Sequence, residues 1–351
     1  MSTAAVPKLP GMAELIPPVF GYAIFQITGS ISRLGIPDAL GDGSGTAEEL
    51  AAEVGADLRF LQRLLRAGAA AGLLTTSTDG RFALTELGRM FRKDAPWLGY
   101  AHDATHAHPM FWEAWGALEN AVRTGIPAFD LVHGKGLFDH LAGDPELSSM
   151  FHLTMSTGTA LQVSAIVDGY DFSPYRRVTD VGGGDGTNLS AILNANPGVS
   201  GVVFDRANAL QDAPAVLEKA GVADRCETVA GDFFDTVPAG SDLYVLKSVV
   251  HDWNDEAAEK LLSTVRAAME PDSKLVVFTW LMPEKGDAGG DPAERLAMAV
   301  QDIELMVVTR GEMRTLSEYT ELFGRAGLSI TSVLDIPCPF SLHAIEAERA
   351  G

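Results

Sequence analysis

The chain has 351 residues, 46% hydrophobic and 21% charged, which is the composition of a folded globular protein. Its 26 Lys and Arg residues face 47 Asp and Glu residues, for a formal net charge of −21. Because so acidic a surface repels phosphates and anionic lipid, we expect neither nucleic acid nor a membrane as partner. The absence of a signal-peptide pattern, of an uninterrupted apolar run of about 20 residues and of a cysteine framework predicts a cytoplasmic protein.

The first part of the chain has the pattern of a winged-helix module. Thr46 and Glu49 can form a capping box at the start of one helix, and a second helix is predicted over 58–72. Short strands over 73–76 and 81–84 flank the turn Asp79-Gly80, which is a strong hairpin signal. Such a module either binds DNA or dimerises and covers the substrate of an attached enzyme. The acidic charge favours the second alternative, and we assign this domain to residues 1–96.

Residues 97–170 are predicted to form a helical linker that also lines a substrate cavity. Phe111 and Trp115 belong to an aromatic cluster in this region. The cluster either packs between domains or forms an apolar wall for a flat substrate.

From Tyr175 onward the chain alternates between strands and helix-length stretches. Strands are predicted at residues 177–181, 201–205, 226–230, 243–246 and 274–278. Strands at this spacing predict parallel βαβ units, with a ligand at the carboxyl ends of the strands. The predicted fold is α/β, with a Rossmann-like domain over residues 171–351 behind the mainly helical winged-helix domain.

The segment Asp180-Val-Gly-Gly-Gly-Asp-Gly186 lies between a predicted strand and a predicted helix. Gly182 and Gly184 would let the backbone pass close to a ligand. The carboxylates of Asp180 and Asp185 would repel a pyrophosphate, which disfavours a dinucleotide. They would attract a ligand that carries a positive amine and a sulfonium.

Further polar residues follow the next strands. Asp205 ends the second strand and can accept hydrogen bonds from two ribose hydroxyls, and Arg206 follows it. Asp232 and Phe233 can hold the edge and face of an adenine, although Asp232 could instead cap a helix. Lys247 can bind a ligand carboxylate, although it could also be an ordinary surface lysine.

These residues, in this order, resemble the class I S-adenosylmethionine-dependent methyltransferases, and most closely the O-methyltransferase family of plant phenolic and bacterial polyketide-tailoring enzymes. The resemblance covers nearly the whole chain and includes the Lys247 to Asp255 segment and the Arg314-Thr315 ending of the last family motif. It implies a homodimer formed through the winged-helix half and S-adenosylmethionine as the cofactor. It implies that the cofactor is contacted by Gly182, Asp205, Asp232, Phe233 and Lys247. Asp180, Gly184 and Arg206 complete the predicted cofactor-binding set.

By the same resemblance His251 is the general base that takes a proton from a substrate hydroxyl, with Asp252 beside it and Asp302 as a helper. A histidine beside an acid could also make only a structural hydrogen bond. The family's two supporting glutamates are replaced here, by Thr279 and by Met313, and Glu312 lies next to the second position. These departures weaken the expected support of the base.

The sequence therefore predicts O-methylation of a hydroxyl on an aromatic or polyketide-type secondary metabolite. The alternative is a methyltransferase-like enzyme with changed chemistry: C-methylation, hydroxylation, decarboxylation or rearrangement. Substrate contacts are expected from Phe111, Trp115, Met155 and Met306, which could equally be core residues. Glu304 either faces solvent or favours a substrate with a donor group. No metal site is predicted, since the run of His102, His106 and His108 has no fourth ligand at a fixed spacing.

Overall fold

The computed structural model describes residues 11–95, 99, 105–286, 291–338 and 342–351, so His102 lies outside the described residues. The chain divides into two compact units, Met1–His108 and Pro109–Gly351. The predicted three-part division at residues 96 and 170 stays a prediction.

The N-terminal unit has the predicted winged-helix elements. Its helices are α1 Met12–Arg33, α2 Ile36–Leu40, α3 Ala47–Val54, α4 Leu58–Ala70 and α5 Glu86–Arg89. Its strands β1 Ser44–Gly45, β2 Leu74–Thr76 and β3 Phe82–Leu84 form an antiparallel sheet in the order β1-β3-β2. The capping box of Thr46 and Glu49 is confirmed, with both reciprocal hydrogen bonds present. Leu61 and Leu65 of α4 pack with Ile31 of α1 in the core of this unit.

Helix α1 exposes a broad apolar surface. Within the described residues, its stretch Leu15–Arg33 is long and apolar enough to cross a membrane by length and composition, although only 17% of the scored window is buried. One such helix near the N-terminus is weak evidence for a membrane span. Val19, Phe20 and Tyr22 are 53%, 49% and 64% exposed. A surface of this kind is typical of a helix that packs against another protein chain.

The C-terminal unit begins with helices and continues as a seven-stranded sheet with further helices between strands. The helices are α6 Pro109–Gly116, α7 Leu118–Thr124, α8 Ala128–His133, α9 Leu137–Leu141, α10 Pro145–Gly169, α11 Thr187–Ala195, α12 Ala213–Lys219, α13 Asp255–Ala268, α14 Pro292–Val308 and α15 Leu316–Arg325. The strands are β4 Arg177–Val181, β5 Ser200–Asp205, β6 Cys226–Ala230, β7 Leu243–Lys247, β8 Lys274–Thr279, β9 Leu328–Ile336 and β10 Leu342–Arg349.

The sheet has the order β6-β5-β4-β7-β8-β10-β9. The five predicted strands are confirmed and pair in parallel, whereas β10 pairs antiparallel with both β8 and β9. The prediction of a helix between β6 and β7 is wrong, because the structure has only turn and coil there. This short connection contains Gly231, Pro238 and Gly240, which disfavour a helix. Successive residues of β8 alternate between two buried clusters, so apolar cores cover both faces of the sheet.

Candidate active site

The glycine-rich loop after β4 is held close to the end of β5. The N–H of Gly182 donates to the carbonyl oxygen of Phe204 over 2.8 Å, and the N–H of Gly184 donates to Oδ2 of Asp205 over 2.9 Å. Gly182 has a φ of 75° and a Cβ there would lie 2.8 Å from Val249. Gly184 has a φ of 57°, yet a Cβ there would meet nothing within 4 Å. Gly184 therefore leaves backbone open to a ligand.

Two carboxylates lie on either side of this loop, half-buried Asp205 and buried Asp180. Asp205 accepts from the N–H groups of Gly184 and Arg206, and burial raises its pKa in spite of these bonds. Asp180 is 1% exposed and accepts from Nδ2 of Asn188 over 3.1 Å. Burial raises the pKa of Asp180 to about 6. Negative charge is thus concentrated at the carboxyl ends of β4 and β5.

Arg206 and Asp232 lie just beyond the carboxyl ends of the neighbouring strands β5 and β6. Oδ1 of Asp232 accepts from the N–H of Phe234 over 2.8 Å in a turn, so Asp232 does not cap a helix. The Arg206 guanidinium lies 3.8 Å from Oδ2 of Asp232 and 3.5 Å from Oδ1 of Asp139. Phe233 is half-buried and packs edge to face against Phe234.

Lys247, at the end of β7, is mostly buried and is not the surface lysine of the alternative interpretation. Its Nζ lies 3.4 Å from Oε1 of Gln162 and 3.4 Å from the Ser248 hydroxyl. Burial lowers the pKa of Lys247 to about 8, and the nearby carboxylates of Asp180 and Asp252 oppose this effect. A cation with so few charged partners suits a ligand carboxylate.

Sequence reasoning missed two residues of α10. Gln162 is 8% exposed and contacts Lys247. Nε2 of His152 is buried without a hydrogen-bond partner among the described residues, and the carboxylates of Asp205 and Asp185 act on this imidazole electrostatically. Neither residue belongs to a motif, so the sequence carries no signal for them. Helix α10 brings them to the site by packing against α11.

The residues at the carboxyl ends of these parallel strands suit S-adenosylmethionine. Asp180 matches a ligand with an amine and a sulfonium, Asp205 and Asp232 match hydrogen-bond donors of its ribose and adenine, and Lys247 matches its carboxylate. The open backbone at Gly184 and the Nε2 of His152, which has no hydrogen-bond partner among the described residues, would be available for further polar contacts.

His251 lies beyond β7 in a 3₁₀ turn, Val250–Asp252, and is 4% exposed. Its Nδ1 is 3.4 Å from the Thr279 hydroxyl, and its Nε2 is 3.8 Å from Oδ1 of Asp252. Burial lowers the pKa of His251 to about 3, and the positive charges of Lys247 and Arg314 add to this effect. The imidazole is therefore neutral at physiological pH, as proton acceptance requires.

Thr279 and Met313, which replace the two glutamates of the family pattern, make other contacts. The Thr279 hydroxyl lies 3.1 Å from the Tyr319 hydroxyl. Met313 is 7% exposed, and its N–H donates to Oδ1 of Asp302 over 2.9 Å. The carboxylate of Glu312 accepts from Arg314 over 2.9 Å, so it does not replace the acid lost at Met313.

The candidate substrate residues lie in different surroundings. Phe111 is 2% exposed in the helical core of this unit, Met155 is 47% exposed, and Met306 is half-buried on α14. The indole N–H of Trp115 donates to Oε2 of Glu304 over 2.7 Å, so Glu304 is not simply a solvated residue. Their roles stay predictions.

Comparisons with known proteins match both units. Family models for the O-methyltransferase domain and the O-methyltransferase dimerisation domain match residues 115–329 and 18–94. The chain is 40% identical to O-demethylpuromycin-O-methyltransferase of Streptomyces alboniger, over 92% of this chain and 86% of that protein. It is also 32% identical to aclacinomycin 10-hydroxylase of Streptomyces purpurascens, over 86% of this chain and 80% of that protein.

A similar solved structure is an O-methyltransferase from neocarzinostatin biosynthesis in complex with S-adenosylmethionine and 2-hydroxy-5-methyl naphthoic acid. Its TM-score is 0.81 with 30% identity, and the match covers 99% of this chain and 100% of that one.

Proposed function

The chain belongs to the S-adenosylmethionine-dependent O-methyltransferase family of secondary metabolism, and from this premise we propose that it methylates a hydroxyl of an aromatic or polyketide-type metabolite with His251 as general base. The observation that carries the proposal is a buried, neutral imidazole just beyond the carboxyl end of β7. Strand β7 is the direct neighbour of β4, which the glycine-rich loop follows, and β5 lies on the other side of β4. Carboxyl ends of parallel strands are where α/β enzymes place their chemistry.

In this proposal each side chain of the site has its own role. When bound, S-adenosylmethionine supplies an electrophilic methyl group on a positively charged sulfur. Asp205 and Asp232 hold its ribose and adenine, and Lys247 holds its carboxylate. Nε2 of His251 takes the proton of the substrate hydroxyl as the oxygen bonds to the methyl carbon and the carbon–sulfur bond breaks. Alignment of oxygen, carbon and sulfur provides the rest of the acceleration.

A base whose protonated form is poorly stabilised suits a substrate with an acidic hydroxyl. His251 has a hydroxyl, from Thr279, at Nδ1 where the family pattern has a carboxylate. Without that carboxylate the protonated imidazole is poorly stabilised, because Lys247 and Arg314 also oppose it. Substrates whose hydroxyl ionises easily would need the least help, which favours phenols made acidic by carbonyl or quinone groups.

We further propose that two copies of the chain form a homodimer in the cytoplasm. The dimerisation-domain match and the exposed apolar face of α1 support the assembly. Helix α1 would pack on the partner chain through Val19, Phe20 and Tyr22.

The alternative is the same cofactor site with a different reaction, and Thr279, Met313 and the 10-hydroxylase relative favour it. Both are tested by incubating the enzyme with S-adenosylmethionine carrying a deuterated methyl group and a panel of hydroxylated naphthoates, quinones and phenazines. A product heavier by one deuterated methyl group, with the label on oxygen, is expected. Label on carbon, or consumption of an acceptor without label, would favour the alternative.

A further inference from the structure

Trp280 directly follows Thr279 at the end of β8, and its indole is stacked with an offset against the imidazole of His251. The ring centroids are 5.4 Å apart and the planes differ by 26°. The other contacts of this imidazole are longer than ideal hydrogen bonds: 3.4 Å from Nδ1 to Thr279 and 3.8 Å from Nε2 to Asp252. The stacked indole is therefore a contact that can restrict rotation of the His251 ring.

The indole itself is held by packing. Trp280 packs against the buried cluster on one face of the sheet, which includes Phe278 and Tyr170. Its N–H is buried and has no hydrogen-bond acceptor among the residues that the structure describes. The face of the ring, and not its polar edge, is what Trp280 offers to His251 in this arrangement.

The indole face also affects the stability of protonated His251, because the charges around this ring disfavour protonation. Lys247 and Arg314 disfavour a protonated imidazole, and Asp252 is the carboxylate nearest to Nε2. On the Nδ1 side are the hydroxyls of Thr279 and Tyr319. The face of an indole attracts a cation, so Trp280 stabilises the imidazolium as it forms.

We propose that Trp280 is a positioning residue for His251, with its stacked indole performing the orienting task that a carboxylate at position 279 performs in the family pattern. The inference rests on the proposed role of His251 as base. It predicts that the aromatic face at position 280 is needed, whereas the indole N–H is not.

The first test is spectroscopic and needs no methyl acceptor. Protein labelled with ¹⁵N in its histidine rings is saturated with S-adenosylhomocysteine, and the His251 signals are identified by their loss in His251→Ala. Trp280→Leu should move these signals and alter their titration with pH, and Trp280→Phe should change them far less. Unaltered His251 signals in Trp280→Leu would overturn the inference. Should Trp280→Leu fail to bind S-adenosylhomocysteine, Trp280→Met takes its place.

The second test uses an acceptor identified by the labelled-methyl assay. Trp280→Leu should lower kcat about tenfold or more with little change in KM, and Trp280→Phe should keep most of the activity. In the His251→Ala background Trp280→Leu should cost nothing further, since the two residues act as a unit. An equal loss in that background, or a raised KM with unchanged kcat in Trp280→Phe, would mean direct substrate contact and refute positioning. Full activity of His251→Ala alone would instead refute the base.

Discussion

The Thr279 hydroxyl lies 3.4 Å from Nδ1 of His251, so an uncharged group stands where the family pattern has a carboxylate. A hydroxyl can fix the imidazole tautomer, but it contributes no negative charge to stabilise an imidazolium. Because Lys247 and Arg314 are positive and the ring is buried, the balance favours neutral His251. His251 thus has little electrostatic support for the protonated state that the proposed role of base requires.

Restoring a carboxylate at position 279 should reverse this balance. Thr279→Asp is nearly the same size as the natural residue and places a negative charge beside Nδ1, so the pKa of His251 should rise from about 3 by about one unit or more. Thr279→Val is the matched control, because it keeps the shape and should leave the pKa low. Titration of the His251 ring signals by NMR measures both. An unchanged titration in Thr279→Asp would show that local charge does not set this pKa.

Lys247 should make cofactor binding depend on pH. Its pKa is lowered to about 8, and only the protonated amine binds a carboxylate, so affinity for S-adenosylhomocysteine should fall as pH rises from 7 to 9.5. Lys247→Met should bind about tenfold or more weakly at pH 7 and lose this part of the pH dependence. Lys274→Met, at the opposite end of the neighbouring strand β8, is the control. Calorimetric titrations that give Lys247→Met the same pH dependence as the natural protein would contradict the assignment.

Gly184 and Gly221 form a natural pair for testing the glycine-rich loop. Both have a positive φ, 57° and 72°, and a Cβ at either would meet nothing within 4 Å. Each change to alanine should therefore cost about 1 kcal/mol of stability from backbone strain. Only Gly184→Ala should also weaken S-adenosylhomocysteine binding, by about tenfold, because the methyl group occupies the space over the loop. Equal affinities in the two variants would mean that no ligand approaches Gly184.

The exposed face of α1 should control assembly. Phe20→Asp places a charge in the apolar surface next to Val19 and should shift sedimentation from dimer towards monomer. Phe60→Asp changes another phenylalanine of the same unit, 68% exposed, and should leave the assembly unchanged. A fully dimeric Phe20→Asp protein would place the interface elsewhere.

Local patterns were enough to predict the parallel strands and the glycine-rich loop. The predicted limits of β4 and β6 agree with the structure, because each is a short strand bounded by turn residues. The capping box could be predicted from two residues three positions apart, Thr46 and Glu49. Family motifs then indicated His251 and Lys247, which the fold brings to the same end of the sheet.

Features that depend on distant packing could not be predicted in this way. Strand β10 joins the sheet by antiparallel pairing with β8, and β9 by antiparallel pairing with β10, which no local pattern in their sequences specifies. His152 and Gln162 lie on an ordinary helical sequence and reach the site only because α10 packs against α11. The stacking of Trp280 on His251 likewise follows from the turn after β7 meeting the end of β8.

In the proposed reaction His251 removes the proton of the substrate hydroxyl during methyl transfer. Single-turnover rates with deuterated-methyl S-adenosylmethionine and one identified acceptor, for the natural protein and His251→Ala across pH, test it most directly. We expect a rate about 100-fold or more lower in the variant, with S-adenosylhomocysteine affinity within about twofold of the natural value. A variant rate within about twofold of the natural one, with the same dependence on pH, would contradict it and leave His251 a structural residue.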